Sequence, residues 1–492
     1  MRVPAYALMA VSWLPLAAQP PLPDTAELET ELKRLVEVFN LVSGNSADPQ
    51  TADRLIYGGA IPGMLSRLDP HSVFFDPDQF EQLQQMQTST VKGFGSIVSV
   101  LPGRVIVLQV QPSSPAERNG LAAGDEMIII NGIVLARLDV EQLVQLLGMA
   151  RQQAVQLQIR RPGTAGLLPL TMTPAELQSP SVDRVFLLRP GIGHIRTNSF
   201  DAGTAKEIKD AIEKLGGNNL NGLVLDLRGN PGGVLSSALE TAALFLPPGT
   251  RLITGRGRGK GTQEIDVPAG GAPYTFKLAV LIDAKSASGS EIVAGAIQDN
   301  DRGVLLGETS YGKGLVQSVY PLTGATGLAL TTAFYYTPSG RSIQRPLRDS
   351  GLHAAENPGR PEYKTKSGRT VRGGGGIEPD HAVSPPFATR FQAAVEATAS
   401  FHGFAMEWLR LNRAKATPGM GITPQMLDEF QLFLSRRNIQ PPLSEWTAER
   451  AFIVSRLKQE ILNLAVNVAA GDEVEALRDP VVKRAADAIG TP

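Results

Sequence analysis

The 492-residue chain contains no cysteine, which excludes disulfides, thiolate nucleophiles and thiolate metal sites. It has almost no net charge: 47 basic residues against 48 acidic ones leave −1, so no global field favours nucleic acid or an anionic membrane. Apolar runs are short. The N-terminal "AYALMAVSWLPLAA" falls below the roughly 20 residues that span a bilayer. After Met1-Arg2, and with small residues at Ala17-Ala18, it suits a cleaved export leader over 1–18. A periplasmic or secreted protein is expected, with an uncleaved, anchoring leader as the alternative. Histidine is also scarce, at five residues, and none lies in "SASGSEIVAGAIQDNDRGVLLGETSYGKG" (286–314), where serines and a lysine gather between glycine-rich turns.

What is present is globular, with 42% hydrophobic and 19% charged residues, over a length that calls for several packed units. Leu32, Leu35, Val36 and Phe39 recur at helical spacing, so residues 24–87 read as a helical lead-in. Residues 88–176 switch to short β patterns such as "RVIVLQV" and "EMIIING", with one helical stretch, "DVEQLVQLLGMA". From 180 to 386, apolar strands ("GLVLDLR", "KLAVLID", "GVLLGE") alternate with helices, the signature of an α/β layered core with a largely parallel sheet. Residues 387–492 are helical again, and could pack on that core or on another subunit.

The lysine of "GETSYGK" (307–313) has the look of a phosphate-binding loop. Such a loop needs Ser or Thr after the lysine and then a helix. Here Gly314 follows, and then "LVQSVYPL", which alternates like a strand. "GRGRGKGT" at 255–262 fails the same spacing and reads as a solvated basic loop. Nucleotide binding is not expected.

Ser288 opens "SGSE", a capping box before an apolar helical face, and capping is its plainest role. Yet it follows the strand "KLAVLID", so it would emerge at a strand-to-helix turn, where free N–H groups and the helix dipole favour an oxyanion. "LDLRGNPGGV" could bring Gly232 and Gly233 to the same point as further backbone donors, or be a plain tight turn. A serine nucleophile needs a base. His71, His194, His353, His381 and His402 lie scattered through turns and strands, each in a setting that suits structure or surface better than catalysis. Lys313 is the alternative, provided burial makes it neutral, and Gln317, four residues on, could align its nitrogen.

These motifs, with "YYTPSGRSIQ" (335–344), "GGIEPD" (375–380) and "GAIPGMLSRLDPHSVFFDP" (59–77), resemble the carboxyl-terminal processing proteases, which are Ser/Lys peptidases. The resemblance implies a crotonase-like layered β/α protease core with an inserted PDZ-like β-rich domain and helical N- and C-terminal regions. It implies Ser288 as nucleophile, Lys313 as base, Gln317 as orienting residue, and backbone donors at Gly289, Gly232 and Gly233. Asp299 falls on an acidic position important in some members, or simply ends its helix. The β-rich module resembles a PDZ domain, with Gly93, Phe94, Gly95 and Ser96 as its carboxylate-binding loop. Such domains add a peptide as an extra strand, although this one could be ligand-silent. Ser96 and Gly289 depart from the usual residues at their positions, as does His194. No metal or organic cofactor is implied. Protein or peptide substrates with apolar C-termini are implied as partners; an activator or adaptor protein and homo-oligomerisation stay open. A catalytically silent C-terminus-binding scaffold is the alternative to the endopeptidase.

Overall fold

The computed structural model describes residues 25–87, 90–258, 261–347, 360–384 and 387–490; the expected leader lies outside them. The lead-in begins with helix α1 (Thr25–Asn45), whose Leu28, Leu32 and Leu35 stay 43–53% exposed. Shorter helical turns over 53–66 follow, then a tight turn, Asp69 to Ser72, that delivers strand β1 (Val73–Phe75).

The β-rich module is a five-strand antiparallel path that starts at its edge with β2 (Ser96–Leu101). Alternation sets its inner face: Val155, Leu157 and Ile159 are buried while the residues between them are exposed. Helix α2 (Val140–Ala150) starts at Asp139, which forms a full capping box with Gln142 and buries Leu143 and Leu146. The segment entering the module, Thr90–Gly93, pairs with the segment leaving it, Ala175–Gln178. This pairing closes the insertion at its base.

The next region supplies β3 (Val182–Arg189), β4 (Ile192–Thr197), β5 (Gly222–Asp226), β6 (Lys277–Ile282), α3 (Gly289–Asp299), β7 (Val304–Gly307), β8 (Leu315–Pro321), β9 (Gly327–Tyr336) and β10 (His381–Ala382). One sheet runs β3-β4-β5-β6-β7-β10, parallel from β4 onward. Unbroken apolar strands such as β5, buried along its whole length, require cover on both faces. One face packs under α3 and the helices Thr204–Leu215 and Leu235–Ala243. The other is covered by the C-terminal helix Pro480–Gly490, whose Val481, Val482, Ala485 and Ile489 meet Val224, Ala279, Leu281 and Leu306. The last helix of the tail thus packs on the core. The other tail helices share an aromatic cluster of Phe401, Phe404, Phe430, Phe433 and Trp446.

A second sheet is organised around β9, which pairs with β8, with β1 of the lead-in, and with strand Arg251–Gly257. The last of these forms a hairpin with Gly261–Asp266, so most of the expected basic loop is paired strand. The fold is the α/β core with a PDZ insert and helical ends.

Candidate active site

Strand β6 ends at Ile282, and the turn that follows reaches Ser288 just before α3 begins. Three serines lie in this turn and the start of α3, and only one of their hydroxyls lacks a partner among the described residues. Ser286 Oγ donates to the Leu227 carbonyl (2.9 Å), and Ser290 Oγ donates to the Asn230 carbonyl (2.9 Å). Ser288 is fully buried, its Oγ has no hydrogen-bond partner among the described residues, and its backbone is held at φ +52°. A non-glycine residue in that region costs about 1–3 kcal/mol. The expected capping box is only half realised: Ser288 N–H donates to Glu291 Oε2 (2.9 Å), but the hydroxyl caps nothing.

Lys313 lies on the turn before β8, with only 1% of its surface exposed, and its Nζ donates to Gln317 Oε1 at 2.7 Å. Burial pushes its ammonium down to about 8, against the opposing pull of the Asp69 and Glu291 charges. The strand after Lys313 removes the phosphate-loop reading in physical terms, because a helix N-terminus is what such a loop needs.

Glu291 holds the serine and lysine segments together. Its Oε2 accepts from Ser288 N–H and from Lys313 N–H, both at 2.9 Å, and its Oε1 accepts from Gly312 N–H at 2.6 Å and from Ser310 Oγ. Burial pushes this carboxyl up to about 7, although those donors pull it the other way. Tyr335 adds a second clamp: its hydroxyl lies 2.9 Å from the Lys313 carbonyl and 3.3 Å from that of Ser288. The sequence carried a signal for Glu291, the third residue after Ser288, but it pointed to a cap rather than to a bridge.

Of the expected backbone donors, Gly289 opens α3 beside the serine. Gly232 packs against it so closely that a Cβ would sit 2.8 Å from Ser288 Cβ and 2.9 Å from Gly289 N, at φ +101°. Its own N–H, however, donates to Asn230 Oδ1 (2.8 Å), so that expected donor is engaged in this structure. Gly233 is bridged to Phe200. Asn230 seats the loop, since its carbonyl also accepts from Ala287 N–H and Ser290 Oγ.

Asp299 lies at the far end of α3, roughly 16 Å along the axis at ~1.5 Å per residue. There it forms a fully buried ion pair with Arg341 (2.7 Å) and accepts from Thr337 Oγ1 and Ser339 N–H. The structure does not bring it to Ser288; it ties the helix end to the segment after β9. Three of the histidines have settings away from general-base chemistry, and His381 is exposed on β10. His194 stacks on Phe186, His402 bonds Glu460, and the ring of His71 is pushed down to about 4 by burial and by the charge of Lys313, so it carries no charge at neutral pH. His353 lies outside the described residues.

In the β-rich module, Gly93, Phe94, Gly95 and Ser96 line a groove of about 340 Å³ with Met127, Ile130, Leu147 and Leu157, and with Lys92 and Arg151. The Phe94 and Gly95 carbonyls are engaged within the module, by Ala116 N–H (2.8 Å) and Gln111 N–H (2.7 Å). Among the described residues strand β2 pairs with one neighbour only, which leaves the edge beside the groove open.

Residues 191–350 match peptidase family S41, and residues 80–169 match the PDZ domain family. The chain is thus a serine peptidase that carries a PDZ module. It is 35% identical over 292 residues to a carboxyl-terminal-processing protease of Synechocystis sp., covering 58% of this chain and 68% of that one. A carboxy-terminal-processing protease of Bartonella bacilliformis is 34% identical over 319 residues (64% and 73% covered), and CtpB of Bacillus subtilis is 31% identical over 334 residues (66% and 68%). The chain belongs to the carboxyl-terminal processing proteases.

Proposed function

We propose that Ser288 attacks the scissile carbonyl while neutral Lys313 takes its proton and then returns it to the leaving amine. The acyl-enzyme is hydrolysed by water, and the Gly289 N–H at the start of α3 steadies the oxyanion. The observation that carries this reading is the pairing of a strained, unbonded serine hydroxyl with a buried lysine whose ammonium is brought down to about 8. The Oγ–Nζ bond itself is not made here; such bonds commonly tighten only when substrate is bound.

The substrates in this reading are unfolded or tail-exposed proteins with apolar free C-termini, which add a strand to β2 and place their last side chain in the groove. Lys92 and Arg151 supply positive charge beside the loop that would take the carboxylate. The proposed place of action is the periplasm or the cell exterior, after cleavage of the leader. N-terminal sequencing of the mature protein tests this; a chain that still begins at Met1 speaks against it.

The test of function is cleavage of an unstructured peptide with an apolar end, as free acid and as amide, by wild type, Ser288→Ala and Lys313→Ala. Cleavage by wild type alone, with preference for the free acid, supports both halves of the reading. Equal cleavage by all three proteins refutes the dyad, and equal cleavage of acid and amide refutes the C-terminal recognition.

A further inference from the structure

The geometry points to the Asp69–Ser72 turn of the lead-in as a positioning element of the active site: its His71 carbonyl orients the Gln317 amide, and through it the Lys313 amine. This rests on the Ser288–Lys313 reading and deepens it.

The argument begins with an ambiguity of glutamine. Its amide presents an acceptor on one side and donors on the other, and a half-turn exchanges them. Gln317 Nε2 donates to the His71 carbonyl, which can only accept, so Oε1 is the atom left to face Lys313 Nζ. That choice has a chemical consequence. A neutral amine has two N–H groups and one lone pair. If it donates one N–H to Oε1, the lone pair stays available for the serine proton. Were the amide reversed, its N–H₂ would donate into that lone pair and disable the base.

The carbonyl is held by a dense set of bonds. Asp69 is 1% exposed, and its Oδ1 accepts from His71 N–H (2.8 Å), Ser72 N–H (2.9 Å) and Thr331 Oγ1 (3.1 Å), while Oδ2 accepts from Ser72 Oγ (2.6 Å). Ser72 Oγ in turn accepts from Thr331 N–H (3.1 Å). Thr331 is the β9 residue directly opposite Gln317 on β8. The turn is therefore fastened to the strand pair that carries the glutamine. Asp69 also contributes charge: Asp69 and Glu291 favour the protonated lysine, which burial disfavours, while the neighbouring His71 is neutral.

Two substitutions separate these effects. Asp69→Ala removes the ties and is expected to lower kcat by about 10²-fold, the scale of a misplaced reacting group, with KM within twofold. Asp69→Asn keeps an acceptor for the backbone N–H groups but loses the charge. It is expected to stay within about tenfold of wild-type kcat and to move the acid limb of the pH–rate profile to lower pH, because the lysine then loses its proton more readily. Should Asp69→Ala fail to fold, as read by thermal melting, Asp69→Asn and Thr331→Val carry the test; the latter deletes one tie and is expected to lower kcat without raising KM. Wild-type kcat in Asp69→Ala, or an unmoved acid limb in Asp69→Asn, overturns the inference. Lys313→Ala, assayed alongside, keeps the two ideas apart. If it cleaves like wild type the dyad has failed, and if it is dead while the Asp69 variants match wild type only the role of the turn has failed.

Discussion

The two ends of helix α3 are both buried and both polar, and they are built on opposite principles. At the C-terminal end the charges are paired: Asp299 meets Arg341, Thr337 and Ser339, and Arg341 also reaches the Gln298 side chain and the Arg372 carbonyl, with its Nε alone left without a partner among the described residues. At the N-terminal end the hydroxyl of Ser288 is unanswered, its backbone is strained, and the nearby lysine is held below its ordinary proton affinity. A satisfied group holds structure and resists reaction, whereas an unsatisfied one is costly to keep and is available for chemistry. The helix carries one of each, separated by its own length.

The sharpest way to break this contrast is to remove the serine hydroxyl. Ser288→Ala is expected to lower kcat by roughly 10³-fold or more while melting at or above the wild-type temperature. A variant that cleaves at the wild-type rate would make the strained turn a structural accident. At the opposite end, Asp299→Ala leaves Arg341 buried without its carboxylate and should cost about 3–5 kcal/mol in a urea titration. The fraction that remains folded should still cleave. Loss of turnover in well-folded Asp299→Ala would dissolve the distinction between the two ends.

The lysine sharpens the contrast through pH. Cleavage should rise as pH rises through about 8, where Lys313 loses its proton, and a rate that stays flat down to pH 4 would rule out a lysine base. Stability should follow a related course. Between the native value of about 8 and the ordinary 10.5, the unfolded chain binds a proton that the native protein has released, so native stability climbs with pH in that window. Lys313→Met has no such proton to release. Wild type should therefore gain about 3 kcal/mol on the variant from pH 8 to pH 10.5, and parallel stability curves would show that the buried ammonium carries no such penalty. The smallest expected effect is the relief of strain. Ser288→Gly accepts the positive φ freely and should gain about 1 kcal/mol of stability in the same protein that loses its activity.

How much of this was legible depended on distance along the chain. Ser288, Lys313 and Gln317 sit in short motifs with recognisable flanks, and the switch from strand to helix around Ser288 is written in a few adjacent residues. The layered core was legible too, because fully apolar strands alternating with helices leave few other arrangements. Asp299 was open to misreading, since its partner Arg341 lies 42 positions later and nothing local announces it. Gly232 reads as a candidate donor because the sequence does not say that the side chain of Asn230, two residues earlier, turns back onto it. The placement of the tail on the sheet likewise depends on a fit between apolar faces that only the folded chain displays.

The same distances have a meaning in time. His71 is made 246 residues before Gln317, and Asp69 is made 262 before Thr331. A chain ended after residue 320 contains Ser288 and Lys313, but the strand that seats the turn does not yet exist. Such a fragment has the ingredients of a peptidase without an aligned base. Alignment of the proposed base thus belongs to a chain synthesised through β9, and a shorter one lacks it.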